Sequence, residues 1–206
     1  MVKNINEPQN QGTFYTALLV EKKVGRPNLE FLLKELADDE SFFLICYALF
    51  HHDAEISIGA SLVLGHLRDS RALAYLLRAL LTTDLKRAEA VMWALGEIGD
   101  EISVPFLLKA INARFAIKSA ILALGKIGSK AIAGAMLKSL ADQDEAVRVL
   151  AAKALSQVRF DDDFETISSL LPVLKSHLTT ETSRRVKLMV AVTCSRLEKT
   201  MESARC

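Results

Sequence analysis

The sequence predicts an all-α protein, a superhelix of about five helical-hairpin repeats. The first observation is composition: half of the 206 residues are apolar, 6% are aromatic and only 4 are proline. Ala and Leu dominate the apolar set, and both enter helices at little free-energy cost, which favours helices over strands. The second observation is self-similarity, because one segment built around a leucine recurs through the chain.

The repeat is anchored by a leucine that recurs at intervals of about 30 residues, a period typical of helical repeat proteins. The clear copies are ASLVLGHLRD, AVMWALGEIGD, AILALGKIGS and AAKALSQVRF, with anchors at Leu64, Leu95, Leu124 and Leu155. A weaker copy, VTCSRL, places Cys194 at the anchor position after a longer acidic loop at 160–164. One copy cannot bury its apolar face alone, so the copies are expected to stack.

Each repeat is expected to contain two helices. The first is rich in small residues, such as Ala88, Ala90 and Ala94, which let a neighbouring helix approach closely. We expect the glycine after the anchoring leucine, and the glycine of IGD or IGS, to end this helix in the left-handed conformation. The second helix carries leucines at helical spacing, and Pro105 fits its first turn. Examples of that spacing are Leu73, Leu76, Leu77 and Leu80, then Val104, Leu107, Leu108 and Ile111.

The pattern predicts one domain over residues 13–206 behind a disordered tail at 1–12. We expect a capping helix at 13–24, a looser helix pair at 29–37 and 42–50, and a last helix at 182–199 with a charged outer face. Stacked pairs of this kind form a right-handed superhelix with a concave binding surface.

Three longer strings carry a resemblance to a known family: AVMWALGEIGDEISVPFLLKAI, AIKSAILALGKIGSKAIAGAMLKSL and DEAVRVLAAKALSQV. They resemble HEAT-like repeats of the phycobilisome-lyase type, over residues 28–177. The resemblance implies a HEAT-like α-solenoid. Repeats of this type occur in bilin-attaching lyases and their chaperone-like relatives, in phycobilisome-degradation factors and in adaptors unrelated to pigment. The resemblance implies no catalytic residue.

Composition and charge argue against several function classes. The formal net charge is +1, so no global field draws the chain to nucleic acid or anionic lipid. The longest apolar run, 42–50, is far shorter than the roughly 20 residues of a membrane span. The first residues lack the apolar segment of a signal peptide, and three separated cysteines, Cys46, Cys194 and Cys206, suit a reducing compartment. We therefore expect a cytoplasmic protein.

A basic ladder is the first candidate binding feature. It consists of four cations that each follow two apolar residues in a second helix: Arg78, Lys109, Lys138 and Lys175. Stacking places them in a row on or near the concave side, where they can bind carboxylates of a protein or the propionates of a tetrapyrrole. The alternative is that each cation only complements the dipole at the end of its helix.

Two apolar features complete the candidate surface. Leu62, Trp93 and Leu122 form an apolar stripe at a repeat position that is usually polar, as Lys153 is, and such a patch indicates a binding site. The alternative is that these side chains pack between helices. Tyr75 and Phe106 form an aromatic pair at matching positions of adjacent second helices. Together with the basic ladder they can line a groove for a flat conjugated ligand. The alternative is that both rings belong to the partly buried core.

The sequence offers little for catalysis or metal binding. His51, His52 and Asp53 lie together in a predicted turn, where adjacent histidines are usually solvated. No HExxH motif and no glycine-rich phosphate loop are present, and Cys46 and Cys194 fit core positions. Terminal Cys206 is either a reactive thiol or without a role. We expect no catalytic residue, no metal and no cofactor.

The sequence therefore predicts a non-catalytic protein–protein interaction module, an adaptor or chaperone-like scaffold. The main alternative is a bilin lyase, or a subunit or chaperone of one, acting on a phycobiliprotein. A second solenoid subunit is a possible partner. A DNA-binding HEAT-like module and an iron–sulfur or metal carrier are further alternatives, and the neutral charge balance argues against the first of them.

Overall fold

The computed structural model describes residues 39–160 and 163–203, and these residues form helices without any strand. The predicted all-α solenoid is confirmed. The predicted tail at 1–12, the predicted helices at 13–24 and 29–37, and Cys206 lie outside the described residues. The α-helices are α1 (Asp39–Ala48), α2 (Ala54–Leu67), α3 (Leu73–Ala79), α4 (Leu85–Ile98), α5 (Val104–Asn112), α6 (Ile117–Ile127), α7 (Ala133–Ser139), α8 (Glu145–Gln157), α9 (Phe164–Thr180) and α10 (Arg184–Ser203).

The chain divides into two compact units between Ile98 and Gly99. The first unit contains α1 to α4, and the second contains α5 to α10. Short 3₁₀ turns precede α3, α5 and α7 at Ser70–Ala72, Glu101–Ser103 and Lys130–Ile132. Pro105 lies in the first turn of α5, as predicted, because its missing N–H has no intrahelical partner there.

Two layers of helices make up each unit. In the first unit α2 packs against α4, and in the second α8 packs against both α6 and α10. We call these helices the small-residue layer. The leucine layer consists of α1 and α3 in the first unit and of α5, α7 and α9 in the second. The anchoring residues are buried between the layers, and they are Leu64, Leu95, Leu124, Leu155 and Cys194.

The glycines of the repeat differ in their roles, which corrects one expectation. Gly65 and Gly125, which follow anchoring leucines, lie inside α2 and α6 rather than at helix ends. A Cβ at Gly125 would lie 3.2 Å from the Cα of Ala154, so the absent side chain lets α8 approach α6. Gly99 and Gly128, with φ of 76° and 69°, do adopt the left-handed conformation that ends a helix.

Aspartates cap several of these helices, and the start of α6 differs from them. Asp53 and Asp144 accept hydrogen bonds from the N–H groups of Glu55 and Ala146, which satisfies donors that the first turn leaves unpaired. At the start of α6, Ala116 occupies the cap position with φ of 46° and no side-chain hydrogen bond. A left-handed alanine is strained, because its Cβ crowds the following carbonyl.

Arginines tie successive repeats together. In the first unit, Arg87 on α4 donates to the carbonyl oxygens of His51 and His52, at 2.9 and 2.6 Å. In the second unit, Arg196 on α10 donates to the carbonyl oxygen of Val158 at 2.7 Å. These carbonyls lie just beyond the C-terminal ends of helices, where no intrahelical donor reaches, so the arginines satisfy them.

Candidate partner-binding surface

The apolar stripe has two members in the first unit, and Trp93 there is half-buried. A Cβ built on Gly65 would come within 2.5 Å of Trp93 Cζ3, so the indole lies against the surface of α2. The His66 ring meets it edge-on at 5.0 Å between centroids. Leu62, at the same repeat position on α2, is also half-buried. Both therefore combine packing with a solvent-facing side.

Leu122, the third member of the apolar stripe, lies on α6 of the second unit and is 44% exposed. The same repeat position is Lys153 on α8 and Val192 on α10, and both are exposed. Leu188, one turn before Val192, is 64% exposed. The small-residue layer of this unit thus carries exposed apolar side chains around a lysine, and the sequence analysis missed the two on α10. A contiguous stripe across both units remains a prediction.

All four residues of the basic ladder are exposed on the leucine layer. Their surroundings differ. Lys175 forms an ion pair with Glu198 at 2.6 Å, and the hydrogen bond that its ammonium group donates to that carboxylate raises the pKa of Lys175. The guanidinium of Arg78 lies 5.2 Å from the centre of the Phe50 ring. Within the described residues, Lys109 and Lys138 form no ion pair, so three members keep charge available for a partner.

The two residues of the aromatic pair lie in different units, Tyr75 in the first and Phe106 in the second, and a groove lined by both stays a prediction. Tyr75 on α3 contacts two rings of α1, with centroids 6.5 Å away for Phe43 and 6.1 Å for Tyr47. Phe106 is exposed on α5 in the second unit. We call Phe43, Tyr47 and Tyr75 the aromatic face. Phe43 and Tyr47 are 41% and 65% exposed, although rings of this size normally bury most of their surface.

The aromatic face was missed in the sequence, although a signal for it existed. Phe43, Tyr47 and Phe50 are spaced by four and three residues in FFLICYALF, the spacing of one helix face. Because apolar residues fill both faces of this run, its periodicity alone does not show which face is buried. Phe42, Ile45, Cys46 and Leu49 form the buried face, and the remaining aromatics are left at the surface.

A cleft of about 380 Å³ adjoins the aromatic face, and we call it the first cleft. Its apolar wall comes from Leu49, Phe50, Ala79, Leu81 and Val91. Its charged groups are Arg78 and Arg87, and none of the described residues that line it is an aspartate or glutamate. Arg87 is held by backbone carbonyls and lies 3.9 Å from Asp84, so Arg78 supplies the accessible charge.

A second cleft of about 590 Å³ lies in the second unit, between α5 and α7. Leu108 and Ile111 face Gly134 and Ala135 across it, with Lys138 at its edge. This cleft also contains Asp142, which pairs with Arg114 at 2.9 Å and has its pKa lowered by that hydrogen bond. Both clefts hold one cation of the basic ladder beside apolar side chains, and a groove for an acidic partner stays a prediction.

Cysteine and histidine chemistry gives no catalytic centre among the described residues. Burial raises the pKa of the Cys46 thiol to about 11, and it also raises the pKa of Cys194. Both thiols therefore stay protonated near neutral pH, and a protonated thiol is a poor nucleophile. His51 and His52 stack at 4.2 Å between ring centroids. No cluster of three metal-ligating side chains occurs within residues 39–160 and 163–203.

The most buried ion pair among the described residues joins α8 to the turn between α9 and α10. Arg148 Nε lies 3.0 Å from Glu181 Oε2, and the Glu181 side chain is only 3% exposed. Burial acts to raise the pKa of Glu181, but hydrogen bonds from Arg148 and from the N–H of Ser183 lower it to about 2. This cluster stabilises the second unit rather than serving catalysis, because every oxygen already has a donor.

These features define an α-solenoid repeat protein. Its repeats are HEAT-like: the HEAT repeat model matches residues 116–193, and the PBS lyase HEAT-like repeat model matches residues 88–113. The predicted family resemblance is confirmed. No curated protein sequence matches the chain significantly. None of the described helices is both long and apolar enough to cross a membrane.

Solved structures agree on the fold. An engineered protein superposes with a TM-score of 0.69 at 18% identity, covering 95% of this chain and 94% of the other. A designed armadillo repeat protein in complex with the peptide (KR)4 gives 0.68 at 15% identity, with 94% and 96% covered. The complex of CpcE and CpcF of phycocyanin lyase from Nostoc sp. gives 0.60 at 17% identity, with 94% and 92% covered.

Proposed function

We propose that this chain is a non-catalytic protein–protein interaction module, an adaptor or chaperone-like scaffold. The observation that carries the proposal is the pairing of exposed aromatic and aliphatic side chains with cations that no carboxylate of the described residues neutralises. Interface hot spots are enriched in aromatic residues and arginine. The described residues also provide only protonated, buried thiols and no metal-ligating cluster.

Two structural relatives support a binding role through the surfaces of this fold. The designed armadillo protein is in complex with a basic peptide, and CpcE and CpcF are in complex with each other. A solenoid repeats similar surfaces along its length, so successive repeats can each bind part of one partner segment. The partner we expect is another protein, which includes a phycobiliprotein or a second HEAT-repeat subunit, and the expected compartment is the cytoplasm.

The test is isolation of the partner followed by reconstitution. The tagged full-length chain is used to capture proteins from the source cells, and each enriched protein is purified and titrated by calorimetry. We expect saturable binding of one protein at a fixed stoichiometry, weakened by Leu122→Asp or Tyr47→Asp and unchanged by Glu202→Lys. Absence of any protein that binds the purified chain would contradict the proposal.

The alternative is a bilin lyase subunit or chaperone, and the PBS lyase HEAT-like repeat at residues 88–113 favours it. The absorbance spectrum of the proteins captured with the tagged chain decides between the two functions. Incubation of the purified chain with a bilin and an apo-phycobiliprotein tests for covalent attachment. A pigmented product that depends on the chain would establish the alternative, and unchanged starting materials would leave the adaptor function.

A further inference from the structure

We propose that the aromatic face and the first cleft together form a docking site for a short acidic segment of a partner protein. The segment carries an aromatic or large aliphatic side chain and, within one turn of it, an aspartate or glutamate. This inference rests on the proposed function and adds to it the position of one contact and the chemistry of its ligand.

The apolar half of the site is the aromatic face. Tyr75 contacts Phe43 and Tyr47 through tilted and edge-on geometries, which hold the three rings as one surface. Edge-on aromatic contacts restrict ring motion, and a preorganised surface loses less entropy when a ligand binds. Large exposed rings in contact with one another mark an interaction surface rather than isolated surface residues.

The charged half of the site is Arg78, and a comparison with Arg71 shows why it is available. Both guanidinium groups lie over a phenylalanine ring of the first unit, Arg71 over Phe42 and Arg78 over Phe50. Arg71 is neutralised by Asp39 and Asp69, each at 2.7 Å. Arg78 forms no ion pair with any described residue, so its N–H groups remain able to bind a carboxylate.

The spacing of the two halves sets the spacing required in the ligand. Tyr75 and Arg78 are three residues apart on α3 and lie on the same face of the helix. Three residues of α-helix rise by about 4.5 Å. A partner segment therefore places its apolar side chain on the rings and its carboxylate on Arg78 when the two residues are adjacent or one turn apart. Leu81, 78% exposed, extends the apolar rim beyond Arg78.

The charge of the first unit favours a peptide over a nucleic acid. Residues 39–98 contain five Arg or Lys and eight Asp or Glu, a net charge of −3. A polyanion needs several cations along its backbone, and its affinity comes largely from them. A single carboxylate beside Arg78 needs only one. The partner is therefore a peptide segment that brings a single carboxylate to Arg78 rather than single-stranded RNA or DNA, although aromatic side chains can also stack on bases.

The test is a selection of peptides from a random display library on the immobilised full-length chain. We expect enrichment of sequences in which an aromatic or leucine residue lies within four positions of an aspartate or glutamate. The enriched peptides are then synthesised and titrated against three variants. Arg78→Glu and Tyr47→Ala are each expected to weaken binding by about tenfold or more. The matched control, Lys86→Glu, makes the same charge reversal outside the lining of the cleft and leaves affinity unchanged.

Several outcomes would overturn the inference. One is enrichment of basic or uncharged peptides, and another is peptides that bind Arg78→Glu and Tyr47→Ala as tightly as the parent. A third is binding of oligouridylate at physiological salt in preference to every selected peptide. Circular dichroism checks that each variant stays folded. If Arg78→Glu unfolds the protein, the affinity of Tyr47→Ala for the selected peptides still tests the site. The proposed function fails separately, when the purified chain binds no partner protein, whichever residues are changed.

Discussion

Trp93 packs into the space that Gly65 leaves open, so that a Cβ at position 65 would lie 2.5 Å from Trp93 Cζ3 and 2.9 Å from the Cα of Ala94. The small-residue layer of the first unit depends on this contact, because α2 and α4 approach each other closely along it. The relationship joins a binding candidate, Trp93, to the packing of the helices beneath it.

The first prediction is that Gly65→Ala destabilises the protein. The new methyl group would overlap a ring and a backbone atom, and only the ring can move, so we expect a loss of about 1–3 kcal/mol. The control is Gly134→Ala in α7, where nothing lies within 4 Å of the added Cβ. That change should stabilise by roughly 0.4–1 kcal/mol, since alanine restricts the unfolded chain. Urea denaturation of both variants measures the change in the free energy of unfolding, which should be negative for Gly65→Ala and positive for Gly134→Ala.

A second prediction separates structural from surface members of the apolar stripe. Trp93→Ala removes a ring that is packed on Gly65 and His66, and we expect about 2–3 kcal/mol of lost stability. Leu122→Ala, at a side chain that is 44% exposed, should cost less than about 1 kcal/mol. Equal losses at the two positions would show that the indole is not part of the packing. Thermal and urea unfolding provide the values.

The third prediction concerns pH and the pair Arg148–Glu181. The folded-state pKa of Glu181, about 2, lies below its usual value of 4.5, so the unfolded chain binds the proton more readily. Stability from this group is complete above pH 4.5 and is lost as the pH falls towards 2. We expect Glu181→Gln to lose about 3 kcal/mol at neutral pH, because Arg148 is left without its charge partner.

The measurement is the free energy of unfolding as a function of pH. Glu181→Gln should flatten the parent curve between pH 4.5 and 2, and a curve parallel to the parent's would contradict the assignment. Asp163 also has its pKa lowered to about 2, through Lys130 and the N–H of Thr166. Asp163→Asn therefore serves as the comparison, and the double variant tests whether the two contributions add.

Thiol accessibility gives a fourth prediction. Cys46 and Cys194 are buried, and burial raises the pKa of both thiols. Reagents that attack the thiolate should therefore label these two cysteines at a rate limited by opening of the fold. Alkylation followed by peptide mass spectrometry measures each site, with the urea-unfolded chain as reference. Fast labelling of Cys46 in the native protein would show that α1 is not packed as described.

Sequence reasoning recovered the architecture because the repeat is a local pattern. Anchoring leucines, small residues and Pro105 act within one helical pair, and they lie where the periodicity placed them. The sequence predicts a helix end at Gly65, whereas the structure shows a close approach of two helices there. Both situations favour glycine, so the residue type alone does not distinguish them. Only the position of Trp93 in space distinguishes the two explanations.

The candidate surface was harder to predict, because exposure depends on which side of a uniformly apolar helix meets the other layer. In FFLICYALF both faces are apolar, so the sequence could not show that Phe43 and Tyr47 remain outside. Likewise, Arg71 and Arg78 look alike in sequence. Only the structure shows that Asp39 and Asp69 neutralise the first and not the second.

The fifth prediction uses the helix whose cap position is held by a left-handed alanine. Ala116 holds φ of 46° before α6, a conformation that costs a non-glycine residue about 1–2 kcal/mol. Glycine carries no Cβ and is also the better residue at a helix cap, so Ala116→Gly should stabilise the protein by about 1 kcal/mol. The matched control is Ala146→Gly inside α8, which should destabilise by a similar amount because glycine is a poor helix former. Calorimetric unfolding of the two variants decides the question: a loss of stability at position 116 would mean that the left-handed turn is not strained in solution.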